Sequence, residues 1–335
     1  MRRGFNFNFH LMLLDIIFLI GGLVLILWGA DWLTDGASSL ARRWGVSDLV
    51  TGLTVVAFGT SAPELAISIL SAVDGSTGLA VGNVVGSNIF NILVIIGITA
   101  LIRPMTVAKS VMNNDLPLVI LSAVALLAVG LTPVLDPGAP DAVTRVEGIL
   151  LILFFVIYMR YMFASAKGAS ADDPAAKEGA GKKIMPMWKS VVWIVVGLAA
   201  LVGGGQGFVD GASGIASGLG VSDTLIGLTI VAAGTSLPEL ATSITAALKG
   251  SPGMAIGNVI GSCIFNIFLV LGLTAVIQPL PFGDVSLFDL LTMTVASLLF
   301  FFFGWKFGDK IINRWEGALL FLCYLAYITV KILQI

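Results

Sequence analysis

The chain has 335 residues, 57% of them hydrophobic and only 11% charged, with a mean hydropathy of +1.01. An ordinary soluble domain carries about 25% charged residues, so this chain has too little polar surface to face water all round. Its formal net charge of −2 leaves no basic excess for a polyanion. Soluble, secreted and nucleic-acid-binding classes are excluded, and an all-α polytopic membrane protein embedded in the lipid bilayer remains.

About 20 apolar residues span a bilayer core as a helix. Gly75–Ile102, Leu116–Leu135 and Ser190–Val209 each run that far without a Lys, Arg, Asp or Glu. Taken from the N-terminus, the apolar stretches and their Gly, Pro and charge punctuation predict ten spans. These lie near 11–33, 47–72, 77–101, 111–133, 146–165, 188–208, 222–247, 253–277, 286–304 and 315–333. The first runs on past Trp28 with no small-residue cleavage site, which reads as a retained helix rather than a signal peptide. Residues 166–187, rich in Gly, Ala, Ser, Asp and Lys, read as a flexible polar linker between a first half, 1–165, and a second, 188–335.

Lys and Arg mark the cytoplasmic side of a membrane protein. On this span assignment Arg2, Arg3, Arg145 and Lys331 fall on one side and the other fourteen basic residues on the other. The second side is therefore expected in the cytoplasm, with both termini outside. Cys263 and Cys323 lie in apolar stretches without metal-site or disulfide spacing and read as packing residues. The single histidine, His10, precedes the first span, so an H-E-x-x-H metalloprotease or a Ser–His hydrolase has no catalytic group.

The second half repeats the first at an offset of 175 residues. Val46–Ala66, containing Gly59-Thr-Ser-Ala-Pro-Glu-Leu65, aligns without gaps on Val221–Ala241, containing Gly234-Thr-Ser-Leu-Pro-Glu-Leu240; fifteen of twenty-one positions are identical. Gly82-Asn-Val-Val-Gly-Ser-Asn-Ile-Phe-Asn-Ile92 aligns on Gly257-Asn-Val-Ile-Gly-Ser-Cys-Ile-Phe-Asn-Ile267 in the same way. A unit of five spans is odd, so its second copy enters the membrane inverted. That is the plan of secondary transporters, whose site lies near the midplane on interrupted helices. A pseudo-symmetric pore would share it.

Glu64 and Glu239 sit deep in their spans. A charge at that depth costs at least roughly 2.5–3.5 kcal/mol, so such residues usually face a cavity or a partner and carry function. Helical spacing places Thr60 and Ser61 on the face of Glu64, and Thr235 and Ser236 on that of Glu239. Pro63 and Pro238 donate no backbone hydrogen bond and are expected to free carbonyls, those of Ala57 and Ala232, toward a cavity. The following span of each copy carries a polar stripe at four-residue intervals: Asn83, Ser87 and Asn91, then Asn258, Ser262 and Asn266. Asn83 and Asn258 are expected behind the site, supporting it. Every donor is oxygen, with no thiolate or imidazole, which fits a hard cation. Two carboxylates neutralise one Ca²⁺; Na⁺ is of similar radius, and competition for shared ligands is what antiport requires. Mg²⁺ fits less well because it dehydrates reluctantly.

These paired motifs resemble the two alpha repeats of the calcium/cation antiporter superfamily, in particular its prokaryotic sodium/calcium exchanger branch, along essentially the whole chain. The resemblance implies that Glu64 and Glu239 bind Ca²⁺ and share in Na⁺ binding. It implies that Thr60, Ser61, Ser87 and Asn91, with Thr235, Ser236, Ser262 and Asn266, complete the sites. It also implies that the first and sixth helices, with Gly21–Gly22 and Gly203–Gly205, slide across the rest for alternating access. Potassium-dependent exchangers of the superfamily carry Asp where this chain has Asn91 and Asn266, so K⁺ co-transport is not expected. The resulting expectation is no enzyme and no permanent cofactor but an inner-membrane antiporter exchanging Ca²⁺ for Na⁺, with a monomer fitting the plan. A Ca²⁺/H⁺ exchanger using the same two Glu is the alternative, since the proton-coupled branch also has Asn there; a Ca²⁺-selective channel is a more distant one.

Overall fold

A computed structural model describes residues 9–75, 77–168, 184–219, 232–306 and 310–333. It is mainly helical. The first half contains α1 (Phe9–Trp44), α2 (Asp48–Thr60), α3 (Ala62–Val73), α4 (Thr77–Ile102), α5 (Val111–Gly130) and α6 (Arg145–Gly168). The second contains α7 (Met187–Gly218), a turn of helix at Ala232–Gly234, α8 (Leu237–Leu248), α9 (Pro252–Ile277), α10 (Leu287–Lys306) and α11 (Arg314–Leu333). Among the described residues eight helices are long and apolar enough to cross a membrane, or nine if α2 and α3, bent by 41° at their junction, form one span. The expected span 222–247 is seen only from Ala232 onward; Val221–Val231 lies outside the described residues.

Three boundaries differ from expectation for local reasons. α1 runs well past residue 33, because no breaker intervenes before Gly45, whose φ of +66° lies in the left-handed region that stops a helix. α6 continues to Gly168, into the expected linker, of which 169–183 lies outside the described residues. The span 47–72 is broken at Ser61, since Pro63 in the first turn of α3 cannot continue the ladder of α2.

α4 and α9 form the centre. Val84, Ile89 and Ile92 on one, and Val259, Ile264 and Leu271 on the other, are buried. α1, α6 and α7 instead expose rows of Leu, Ile, Val and Phe, the surface a bilayer solvates.

α1 and α7 pack antiparallel through glycines seven residues apart: Gly22, Gly29 and Gly36 on α1, and Gly197, Gly204 and Gly211 on α7. A Cβ on Gly197 would stand 2.7 Å from the Leu33 nitrogen and 2.8 Å from the Gly29 carbonyl oxygen, so the backbones touch directly. In lipid, helices associate by such close packing rather than by hydrophobic expulsion. Where α1 ends and α7 begins the pair is stapled again: Ser190 Oγ donates to Ser39 Oγ (3.1 Å), the Met185 N–H donates to Ser39 Oγ (2.9 Å), and Arg43 donates to the Met185 carbonyl (2.9 Å).

The halves are interlocked elsewhere. Against the all-α expectation, the described residues include four two-residue strands: β1 (Met105–Thr106), β2 (Ala142–Val143), β3 (Leu280–Pro281) and β4 (Ile311–Ile312). β1 pairs antiparallel with β4, and β2 with β3, each ladder joining one half to the other. They satisfy backbone groups where the chain leaves the helices, which an apolar span cannot do by itself. Arg103 donates to the Ala247 and Leu248 carbonyls at the end of α8, and Arg145 to the Val276 and Ile277 carbonyls at the end of α9. Each arginine caps the other half's helix, where the unsatisfied carbonyls carry negative partial charge.

Candidate functional site

The break between α2 and α3 positions the first carboxylate. Ser61 leaves the helical region (φ −85°, ψ 6°), Pro63 occupies the first turn of α3, and Glu64 follows it. The second half repeats the arrangement, with Ser236 (φ −93°, ψ 7°), Pro238 and Glu239 at the start of α8. The two Glu side chains are 1% and 0% exposed, so neither reaches water directly.

Two expectations about this junction need correction. Ser61 was expected to serve Glu64 on one helical face, yet its hydroxyl donates to Glu239 Oε1 at 3.1 Å. Reciprocally, the Ser236 hydroxyl donates to Glu64 Oε1 at 3.4 Å. The helix is interrupted between serine and glutamate, so helical spacing no longer aligns them, and each serine turns to the other half. Secondly, the Ala57 carbonyl is not free: it accepts from the Ser61 N–H (3.0 Å). A proline removes the donor to the residue four before it, so Pro63 deprives the Gly59 carbonyl and Pro238 that of Gly234. In the second half the Ser236 N–H bonds the Ala233 carbonyl at 3.2 Å; Ala232 opens the short turn of helix before it, and its side chain lies outside the described residues.

Behind the carboxylates stand the two asparagines expected to support them. Asn83 Nδ2 donates to the Glu64 carbonyl (3.3 Å) and to Ser68 Oγ (3.2 Å). Asn258 Nδ2 donates to the Glu239 carbonyl (3.2 Å) and to Ser243 Oγ (3.0 Å). Asn258 Oδ1 also accepts from Thr60 Oγ1 at 3.1 Å, a further bond between halves. Thr235, at the place equivalent to Thr60, is half-buried. Ser262 Oγ donates to Glu239 Oε1 at 3.5 Å, so that oxygen is shared by two hydroxyls.

Asn91 and Asn266 lie in π-helical turns, Asn91–Ile96 of α4 and Phe265–Leu271 of α9. Such wide turns recur at functional sites because they re-aim side chains. Among the described residues, Glu64 Oε2, Glu239 Oε2, Ser87 Oγ, Asn91 Oδ1 and Asn266 Oδ1 are all buried with no hydrogen-bond partner. A buried polar atom without a partner costs roughly 1–3 kcal/mol, and two buried carboxylates brought together repel besides. A cation bound among these oxygens relieves both penalties. Among the described residues no group of three or more His, Cys, Asp or Glu stands close enough to hold a metal ion.

Of the twelve residues singled out from the sequence, Glu64, Glu239, Thr60, Ser61, Ser236, Ser87, Ser262, Asn91, Asn266 and Ala57 are buried, Thr235 is half-buried, and the side chain of Ala232 lies outside the described residues. Sequence reasoning missed Ser68 and Ser243, although both stand four residues after a Glu at the same offset of 175. It also missed Asn88, which the repeat does not duplicate.

A family model described as sodium/calcium exchanger protein matches residues 14–164 and 189–333. The putative antiporter CaxA of Alkalimonas amylolytica is 43% identical over 320 residues, covering 94% of this chain and 98% of that protein. The sodium/calcium exchanger MaX1 of Methanosarcina acetivorans is 33% identical over 354 residues, with 96% and 98% covered. A solved structure of the sodium-calcium exchanger NCX_Mj, soaked with Na⁺ and Ca²⁺, superposes with a TM-score of 0.79 at 32% identity, covering 94% of this chain and 98% of that one.

Proposed function

The chain belongs to the sodium/calcium exchanger protein family, and from that premise we propose that it exchanges Ca²⁺ for Na⁺ across a prokaryotic inner membrane, with Glu64 and Glu239 as the central ligands. The observation that carries this reading is the set of buried, unpartnered oxygens contributed by both halves. Two carboxylates neutralise Ca²⁺; hydroxyl and amide oxygens from Thr60, Thr235, Ser61, Ser236, Ser87, Ser262, Asn91 and Asn266 replace its water. With no bound cation the serines hold the carboxylates by donating to Oε1. Rotation of those hydroxyls turns lone pairs toward an ion, so ligands and hydrogen-bond donors are the same groups.

In this account the chain crosses the membrane ten times, as two five-helix halves of inverted orientation joined by the polar linker, with both termini outside. α1 and α7, backbone against backbone, move as one body across the other helices. The two flanks of the site support alternating access: α1 packs along α8, tied by Lys249 to Asp31 (2.6 Å) and Asp35 (2.7 Å). On the other flank Ala62 and Ala66 of α3 are exposed, and Asp74 stands at the place equivalent to Lys249.

Ca²⁺ uptake into proteoliposomes under an outward Na⁺ gradient, an outward H⁺ gradient, or neither tests the reading. Uptake driven by Na⁺ alone is expected. Uptake driven by H⁺ alone would instead establish the second reading, a Ca²⁺/H⁺ exchanger, which the uncharged Asn91 and Asn266 favour. Unsaturable flux needing no counter-ion would mean a channel.

A further inference from the structure

The two halves are not equivalent at the asparagines beside the carboxylates, and the difference comes from a residue the repeat does not duplicate. Asn88 is 1% exposed, and its Nδ2 stands 3.2 Å from the Cys263 carbonyl oxygen. A backbone carbonyl only accepts, so the Asn88 atom facing it is the amide nitrogen. Asn88 therefore presents its oxygen at the other end, 3.1 Å from Asn266. That oxygen needs a donor, so Asn266 turns its nitrogen toward Asn88 and its Oδ1 away. Asn266 Oδ1 is buried and unpartnered. The flip of both amides follows from one unambiguous acceptor in the main chain.

The equivalent of Asn88 in the second half is Cys263, which lies beside Asn91. A thiol is only a weak acceptor: Asn91 touches Cys263, but neither of its amide atoms reaches an ordinary hydrogen-bond partner. That weak contact selects oxygen over nitrogen far less firmly than the amide oxygen of Asn88 does.

We propose that Asn88 is a positioning residue for cation binding: it locks the Asn266 amide so that its oxygen faces the site in advance, while Asn91, opposite Cys263, lacks such a lock. This rests on the reading of Asn266 as a ligand. An unlocked amide presents its NH₂ group to the ion in part of the population, and the ion must supply the energy that turns it round. A locked oxygen spares that cost, which is the general benefit of preorganisation.

The test is the Ca²⁺ dependence of uptake in proteoliposomes for Asn88→Leu, Asn266→Leu and the double variant. Asn88→Leu is expected to raise KM for Ca²⁺ roughly two- to tenfold, the span one buried hydrogen bond covers. A residue acting only through Asn266 adds nothing once Asn266 is gone, so the double variant should match Asn266→Leu alone. A general packing defect would add to it instead. Cys263→Asn supplies a stronger acceptor to Asn91 and should lower KM, a gain that damage does not produce. If Asn266→Leu raises KM while Asn88→Leu leaves it unchanged or the two effects add, the positioning role is overturned and the ligand reading stands. If Asn266→Leu leaves KM at the wild-type value, the ligand reading itself fails. An unchanged or raised KM for Cys263→Asn counts against the lock even where Asn88→Leu does not fold.

Discussion

Gly197→Ala tests whether α1 and α7 are joined backbone to backbone. The added methyl would meet the Leu33 nitrogen at 2.7 Å, the Gly29 carbonyl oxygen at 2.8 Å and the Leu33 Cα at 3.0 Å. All three are main-chain atoms that no rotamer change can move aside. An ordinary contact begins near 3.4 Å, so the helices must part by about 0.7 Å at this point. Overpacking of this kind costs about 1–3 kcal/mol, and the better helix propensity of Ala returns up to about 1 kcal/mol. With the full return the net loss is about 0–2 kcal/mol, still about 1–3 kcal/mol worse than a variant that gains the propensity without the overpacking. Gly203→Ala is the matched control on the same helix, because nothing lies within 4 Å of its added methyl. It should be neutral or stabilising by up to about 1 kcal/mol. Reversible unfolding in mixed detergent and dodecyl sulfate micelles measures both. Equal stability of the two variants would refute the seam, since propensity alone treats them alike.

Two further substitutions follow from named bonds. Asn258→Leu removes two donated bonds and one accepted bond, whereas Asn83→Leu removes two donated ones. At about 0.6–1 kcal/mol per bond, the first should cost about 2–3 kcal/mol and the second about 1–2 kcal/mol in the same unfolding assay; a reversed order would deny the bond from Thr60 to Asn258. Lys249→Met breaks the ties to Asp31 and Asp35, both partly exposed. Exposed pairs are worth about 0–1 kcal/mol each and are screened by salt. Its destabilisation should therefore shrink between low salt and about 1 M salt, and a salt-independent loss would point to packing of the lysine stem instead.

The repeat made much of the site legible. Glu64 with Glu239, Asn83 with Asn258 and Ser87 with Ser262 stand out because duplication pairs them across 175 residues, and a carboxylate deep in an apolar span has few structural uses. What remained hidden lies between elements. Helical spacing relates residues within one helix, so it assigned Ser61 to Glu64, whereas the break at Ser61 hands that hydroxyl to Glu239, 178 residues away. The carbonyl that Pro63 deprives of a donor is that of Gly59, four residues before it, which the sequence spacing alone gives, while the Ala57 carbonyl accepts from the Ser61 N–H. Strands of two residues have no period to detect, and β1 to β4 appear only once the halves interlock. Asn88 was passed over because its counterpart is Cys263, so the comparison that revealed the other pairs concealed this one. The length of α1 escaped because an apolar window ends near Asp31, while the helix continues to Trp44 and stops at Gly45.

The central claim is that Glu64 and Glu239 hold the transported cation together. Ca²⁺ uptake driven by the wild-type protein's coupling gradient, compared with that of Glu64→Gln and Glu239→Gln at equal amounts of folded protein, tests it most directly. Gln keeps the shape and one oxygen but removes the charge. Stripping one charge from a buried set costs about 3–5 kcal/mol, so each variant should lose roughly 100-fold or more of uptake at subsaturating Ca²⁺. Uptake at the wild-type level by either folded variant would contradict the account.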